Sequence, residues 1–442
     1  MTSGPMQSRE TFASKFGLLM TMIGVAVGLG NVWRFPYMVG LFGGASFVLL
    51  YLIMVIFIGI PALMAEWTLG RHTRRGTLGA FEKGGLPGGK YVGYFFVFVV
   101  FCATAYYSNT LGWVAFHGIG QAVSLAGFDF DSAAILPPDS GFDLVSLLLQ
   151  LITTFLVIGL CGLVLSKGLR NGIERVSKFI MPMLLAILLI LILRAITLEG
   201  ADAGLRWYVG SFDLGNVNGA VMAAALGQAV FSLSLGGTFM VIYGSYLHGK
   251  ENIPSGALLT GLGDATAGFL AGLAIIPAVF ALGLQPDSGP SLIFNTLPQT
   301  FQLMPLGGLF GVLFFVGLFG AAFLSDVAAL EVLVGGIVDN SSIRRRRAVI
   351  LACSVVALLA VPTMISMKIF LPWDLIFGSG MQTLGTLLAV ITAAWCIKRS
   401  DALRELAQES ARPFHHILYL WMRFVIPIAV VFVGVRWLVE VI

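Results

Sequence analysis

An all-α protein that crosses a membrane many times is the fold class this sequence predicts, and three observations predict it. Apolar side chains make up 58% of the 442 residues and charged ones only 11%, where soluble chains carry roughly 25% charged residues; mean hydropathy is +0.93. The apolar residues gather in runs of about 20 residues or more, the length that ~30 Å of hydrocarbon requires at ~1.5 Å per residue. Two of these runs carry glycine and polar residues at their centres, GLGN at 28–31 and SLSLGG at 232–237.

Eleven transmembrane helices follow in order, over residues 14–38, 42–70, 89–124, 144–165, 172–194, 216–246, 254–284, 305–337, 347–366, 373–397 and 414–439. No cleavable signal peptide is expected, because residues 1–10 are polar and the first apolar run continues past any small-residue cleavage site. Charge sets the orientation. With the N-terminus cytoplasmic, the cytoplasmic segments hold 20 of the 26 Lys and Arg residues, including Arg344 to Arg347, so the reading is N-terminus cytoplasmic and C-terminus external, in a bacterial inner membrane. The remaining loops are acidic or turn-rich, as in DFDSAAILPPDSG, and residues 285–301 have room for short helices between spans seven and eight. Cys102, Cys161, Cys353 and Cys396 stand singly in apolar runs, which indicates neither a disulfide framework nor a zinc site. The net charge of +4 arises in the loops between spans and does not point to nucleic acid.

The two interrupted spans, one and six, lie five spans apart. Five is odd, so two such halves have opposite orientation in the membrane. Broken helices at matching positions of two halves point to a binding site at an inverted-repeat interface. The expected layout is a 5+5 inverted repeat with unwound helices 1 and 6: a cytoplasmic N-terminal segment at 1–13, repeat one at 14–194, repeat two at 216–397, and helix 11 at 414–442. Gly24 and Gly28 also form a GxxxG pattern that serves close helix approach.

GVAVGLGNVWRFP, GGASFVLLY, GIPALMAEWTLGR, AYYSNTLGW, KGLRNGIERVSKFIMP, GQAVFSLSLG and LEVLV occur in this order along nearly the whole chain. Together they resemble the neurotransmitter:sodium symporter family, whose bacterial members include amino-acid transporters. Broken helices in inverted repeats are that family's own layout, so the symmetry reading is not independent of the resemblance. What the resemblance implies is a sodium-coupled amino-acid symporter working by alternating access, with one or two sodium ions and no organic cofactor, in the lipid bilayer as a monomer or weak dimer.

The resemblance also assigns roles. Leu29 and Gly30 lie where backbone amides meet a substrate carboxylate, since amides at a helix start attract anions and carbonyls at a helix end attract cations, and the phenol of Tyr107 joins them. Gly28 stands where monoamine carriers of the family have an aspartate, which implies an amino acid that brings its own carboxylate. Side-chain selectivity falls to Ala103, Phe231, Ser234, Gly237, Ser325 and Ala329, and Ala26 and Ser232 complete the substrate-binding set. Because Gly237 and Ala329 are smaller than their counterparts in a leucine-transporting member, a bulky hydrophobic or aromatic substrate is expected, unless Met240 refills the space.

A first sodium site resembles the Ala26 carbonyl, Asn31, Ser232 and Asp264, all oxygen donors as a hard cation requires. Asp264 stands where many relatives have asparagine, and the family's chloride-site serine is Gly268 here; a carboxylate inside a bilayer is functional by default, and chloride-independent transport is expected. A second site would take the carbonyls of Gly24, Val27 and Ala321 and two hydroxyls of span eight. Ser325 supplies one, but Leu324 replaces the other. Asp326 follows, projecting roughly 100° away on a helix. The external gate resembles Arg34 with Asp374, beneath which Phe231 and Tyr107 form a lid. The internal latch resembles Arg9 with Asp339, beside Tyr246 and with Phe12 for the family's tryptophan. Glu66 and Glu331 read as structural hydrogen-bonding acids.

No HExxH, GxSxG or Walker A pattern occurs, which argues against an enzyme of those classes. A binding receptor or channel that keeps the fold without coupling is the competing reading, with Leu324 as its foothold.

Overall fold

The computed structural model describes residues 11–213, 215, 217–284, 286, 292–407 and 412–441. Every regular element among them is helical. Among the described residues nine helices are long and apolar enough to cross a membrane, or ten when the bent pair α1 (Lys15–Ala26) and α2 (Gly30–Phe42), inclined by 53°, is taken as one span. The others in chain order are α3 (Ala45–Thr73), α5 (Gly89–Leu125), α6 (Leu144–Ser166), α7 (Leu169–Ile196), α11 (Ile253–Ala281), α13 (Gly307–Asn340), α14 (Arg345–Met364), α15 (Met367–Cys396) and α17 (Pro413–Arg436). The expected sixth span is two shorter pieces, α9 (Gly219–Ser232) and α10 (Phe239–Ser245). Short connecting helices are α4 (Thr77–Lys83), α8 (Ala201–Val209), α12 (Leu297–Leu303) and α16 (Arg399–Ala407). A helix thus stands within 285–301 as expected; residues 285 and 287–291 lie outside the described residues.

Helix starts follow side-chain chemistry. The Ser14 hydroxyl accepts from the Gly17 amide at 3.0 Å to begin α1, Asp143 accepts from Val145 N at 2.8 Å to begin α6, and Asn218 accepts from Ala220 N at 2.9 Å to begin α9. Gly43 and Gly44, with φ of 97° and 62°, make the tight turn from α2 into α3 that a side chain would strain.

The long helices α5 and α13 pack along one another, with α6, α7 and α14 against α13. The outer faces present Leu163, Phe179, Leu358 and Ile428 at 63 to 72% exposure, the apolar surface that lipid covers and water would penalise. Polar residues go inward. Asn31, Glu66, Asp264, Asp326 and Glu331 are all fully buried, so the core holds the groups that solvent would otherwise satisfy.

Candidate functional site

The first break spans residues 27–29. Val27 turns to extended backbone (φ −69°, ψ 116°), and the amides that would continue the helical ladder are diverted: Gly28 N donates to Asn31 Oδ1 at 3.0 Å and Leu29 N to the Tyr107 hydroxyl at 3.3 Å. Carbonyls at the end of α1 are therefore released from their usual partners. The Val25 carbonyl accepts from Ser234 Oγ at 2.9 Å and the Val27 carbonyl from Ser325 Oγ at 3.2 Å.

The second break, 233–238, faces the first. Ser234, Gly236 and Gly237 all have positive φ, and one oxygen of the buried Glu66 carboxylate accepts from both Gly236 N and Gly237 N at 2.9 Å. A charge-assisted pair of this kind holds amides that the bilayer core could not solvate. Glu66 is thus structural, as expected, and its partners are the break itself.

Between the breaks lies a cavity lined by Ala26, Leu29, Gly30, Ala103, Tyr107, Phe231, Ser234, Ser325 and Ala329, nine of the residues expected to bind substrate. Gly28 also lines it. A Cβ at Gly28 would stand 2.5 Å from Ser325 Oγ and 2.9 Å from the Tyr107 hydroxyl, so a side chain there would have to push both hydroxyls aside. Ser232 and Gly237 are absent from the lining. Ser232 belongs to the neighbouring polar cluster. A Cβ at Gly237 would meet the Gly385 carbonyl at 2.7 Å and Phe81 at 2.9 Å, so that glycine makes room for α15 and α4 and leaves the cavity no wider. Met240 is fully buried and away from the lining, where its neighbour Phe239 stands instead together with Thr104, Tyr106 and Gln382. Sequence reasoning missed these four; Tyr106 and Thr104 sit on α5 beside Tyr107 and Ala103, but nothing in the sequence marks Gln382.

The polar cluster is built from four helices. Asn31 Nδ2 donates to Asp264 Oδ1 at 2.7 Å and to Ser232 Oγ at 2.9 Å; Ser232 Oγ donates to Asp264 Oδ2 at 2.7 Å; the Tyr51 hydroxyl reaches Ser232 Oγ at 3.2 Å and Asp264 Oδ2 at 3.4 Å. Three of the four residues expected at the first sodium site therefore converge, with Tyr51 as an unforeseen fourth oxygen. An oxygen-rich set that includes one carboxylate fits a hard monovalent cation. Gly268 bears no hydroxyl, and a Cβ there would make only ordinary contacts, with Phe35 at 3.6 Å and Asn31 Nδ2 at 3.7 Å.

Beside Gly24 the surroundings differ. A Cβ there would lie 2.8 Å from Leu324 Cδ1 and 3.5 Å from both Met181 Cγ and Sδ. Both oxygens of Asp326 turn instead to Ser108 Oγ, at 2.9 and 3.0 Å, and one reaches Cys161 Sγ at 3.6 Å.

At the expected external gate the Arg34 guanidinium lies 4.4 Å over the Phe231 ring, a cation–π contact that closes the cavity roof, and Asp374 hydrogen-bonds with Tyr106. At the internal latch, Arg9 lies outside the described residues. Asp339 Oδ2 accepts from Gly76 N at 3.1 Å, and its carbonyl accepts from Arg75 at 2.5 Å. Tyr246 donates to Glu331 at 2.5 Å, and Glu331 pairs with Arg345 at 2.6 Å. Phe12 packs against the core. Two contacts nearby were not foreseen: Glu174 accepts from Ala13 N at 2.8 Å, and Arg170 donates to the Thr11 carbonyl at 2.7 Å, fastening the N-terminal segment to α7.

The model of the sodium:neurotransmitter symporter family matches residues 9–125 and 138–441. The chain belongs to that family. Among its relatives, an uncharacterised sodium-dependent transporter of Bacillus subtilis (strain 168) is 31% identical over 97% of each chain, and one of Haemophilus influenzae is 30% identical over 96% of this chain and 97% of the other. Among solved structures, MhsT in complex with L-phenylalanine superposes with a TM-score of 0.86 at 33% identity, covering 97% of this chain and 99% of that one. Family membership makes this chain a sodium-dependent membrane transporter, with sodium as its driving ion and no indication of catalysis.

Proposed function

We propose that the protein is a sodium-coupled symporter of amino acids, with bulky hydrophobic or aromatic substrates, working by alternating access and independently of chloride. One observation carries the reading. Among the described residues that line it, the cavity presents the Leu29 amide and the Tyr107 hydroxyl but no acid, and a side chain at Gly28 would have to displace Ser325 and Tyr107, while the buried Asp264 cluster holds Asn31, the neighbour of the lining residue Gly30. A zwitterion supplies the missing carboxylate: its amine faces the released carbonyls of α1 and its carboxylate the amide and phenol.

In this reading the eleven spans form two inverted repeats, with the C-terminus external and the N-terminus on the cytoplasmic side of a bacterial inner membrane. Ala26, Asn31, Ser232 and Asp264 hold sodium beside the substrate, Asp264 providing the charge that chloride supplies elsewhere. Arg34, Asp374 and Phe231 close the outer path; Arg9, Asp339 and Tyr246 close the inner one. The MhsT structure holds L-phenylalanine, which supports an aromatic substrate; with Gly237 turned away from the cavity, Ala329 remains the support from pocket size.

Uptake of labelled amino acids into proteoliposomes under a sodium gradient tests this, with a panel of the twenty amino acids in competition. Concentrative uptake inhibited best by hydrophobic and aromatic members is expected, unchanged when gluconate replaces chloride. Binding without accumulation would favour the uncoupled receptor or channel, to which Leu324 lends its one structural argument.

A further inference from the structure

We infer that Leu324 stands in place of a second ion, so that each transport cycle is coupled to a single sodium at the Asp264 cluster. The inference rests on the symport reading above and deepens it. The family pattern places a second cation between α1 and α13, and the residues present do not fit one.

Three features combine. First, the space beside the Gly24 backbone is already taken by hydrocarbon, with Leu324 Cδ1 at 2.8 Å and Met181 Cγ and Sδ at 3.5 Å from where a Gly24 Cβ would be; Leu324 is 3% exposed, so its methyls are committed to this contact. Second, the span offers one hydroxyl where two are needed: Ser325 Oγ donates to the Val27 carbonyl at 3.2 Å, and its neighbour Leu324 carries only methyls. Third, the neighbouring carboxylate does not assist, because both Asp326 oxygens face Ser108 on α5 and Cys161 on α6. A cation here would exchange its hydration for a few neutral oxygens and a methyl wall, and a charge desolvated against hydrocarbon is strongly disfavoured.

The contact between α1 and α13 is thereby made apolar. In the Asp264 cluster sodium has a counter-charge; here closure of α1 on α13 proceeds by burying Leu324, whether or not sodium is present. The chemistry assigns all sodium dependence of this protein to one site.

Radioactive sodium binding to the purified wild-type protein in nanodiscs, with sodium alone as the probe, should saturate at one ion per protein. In proteoliposomes with the membrane potential collapsed, a tenfold sodium gradient should sustain about tenfold substrate accumulation, where two coupled ions would sustain about hundredfold. Leu324→Thr, with Leu324→Ser as the smaller replacement if threonine impairs folding, should bring in a second bound ion. Two ions on the wild-type protein with sodium-driven uptake intact would overturn this inference and leave the symport reading standing. A folded Leu324 variant that still binds one ion would overturn the assignment of Leu324 as the obstacle. Absence of any sodium binding or sodium-driven uptake would overturn both.

Discussion

Two contacts of the first span stand in contrast. In its second half, Asn31 enters a cluster with Ser232, Tyr51 and a fully buried Asp264, every distance 2.7 to 3.4 Å. In its first half, Gly24 meets the methyl of Leu324 and the thioether of Met181. The same helix therefore touches one neighbour through oxygen and another through carbon. A carboxylate buried in the membrane interior is costly unless a partner offsets it, whereas hydrocarbon joins two helices with no such demand.

The largest effect expected from breaking the contrast is at Asp264. Asp264→Ala removes the cluster's one carboxylate, to which Asn31, Ser232 and Tyr51 all donate; sodium-driven uptake should fall to background while the protein still elutes as a folded species in size-exclusion chromatography. Next is Gly28→Ala. Its Cβ would enter between Ser325 Oγ and the Tyr107 hydroxyl, and substrate affinity should drop at least about 100-fold, on the order of 3 kcal/mol, in an equilibrium binding assay. Leu324→Ala empties the apolar contact and should destabilise by about 2 to 5 kcal/mol, read as a lower melting temperature, with the sodium concentration for half-maximal uptake nearly unchanged. Tyr107→Phe, losing one hydrogen bond to Leu29 N and to the substrate, should weaken binding by about 1 kcal/mol, roughly fivefold. Tyr51→Phe removes the longest contact of the cluster, and the half-maximal sodium concentration should rise by about twofold to threefold, near 0.5 kcal/mol.

The spans and both breaks are legible in the sequence because they are written in local chemistry: apolar runs of bilayer length, and glycine with polar residues where helix continuity fails. Asn31, Ser232 and Asp264 are legible through the family pattern and meet in the structure. Gly237 misleads, since the space beside a glycine is decided by Phe81 and Gly385, which arrive from distant parts of the chain. Leu324 reads in the sequence as a missing ligand; that it also fills the vacancy depends on Gly24 and Met181 meeting it in space. Glu174 and Arg170 grip the N-terminal segment across some 160 residues, and no local pattern announces such a contact. Gln382 and Phe239 line the cavity because α15 and α10 are aimed at it by packing, which periodicity does not encode.

Glu66 gives the two breaks different mechanical characters. One carboxylate oxygen takes two successive amides of the second break, Gly236 and Gly237, and so fixes the plane of both peptides to α3. The first break has no such anchor: its amides at Gly28 and Leu29 are held by one acceptor each, on a side chain of its own helix and on α5. The second break is thus tied as a unit to one residue of α3, while the amides of the first are divided between two acceptors on different helices. A single glutamate makes that difference between two otherwise similar interruptions.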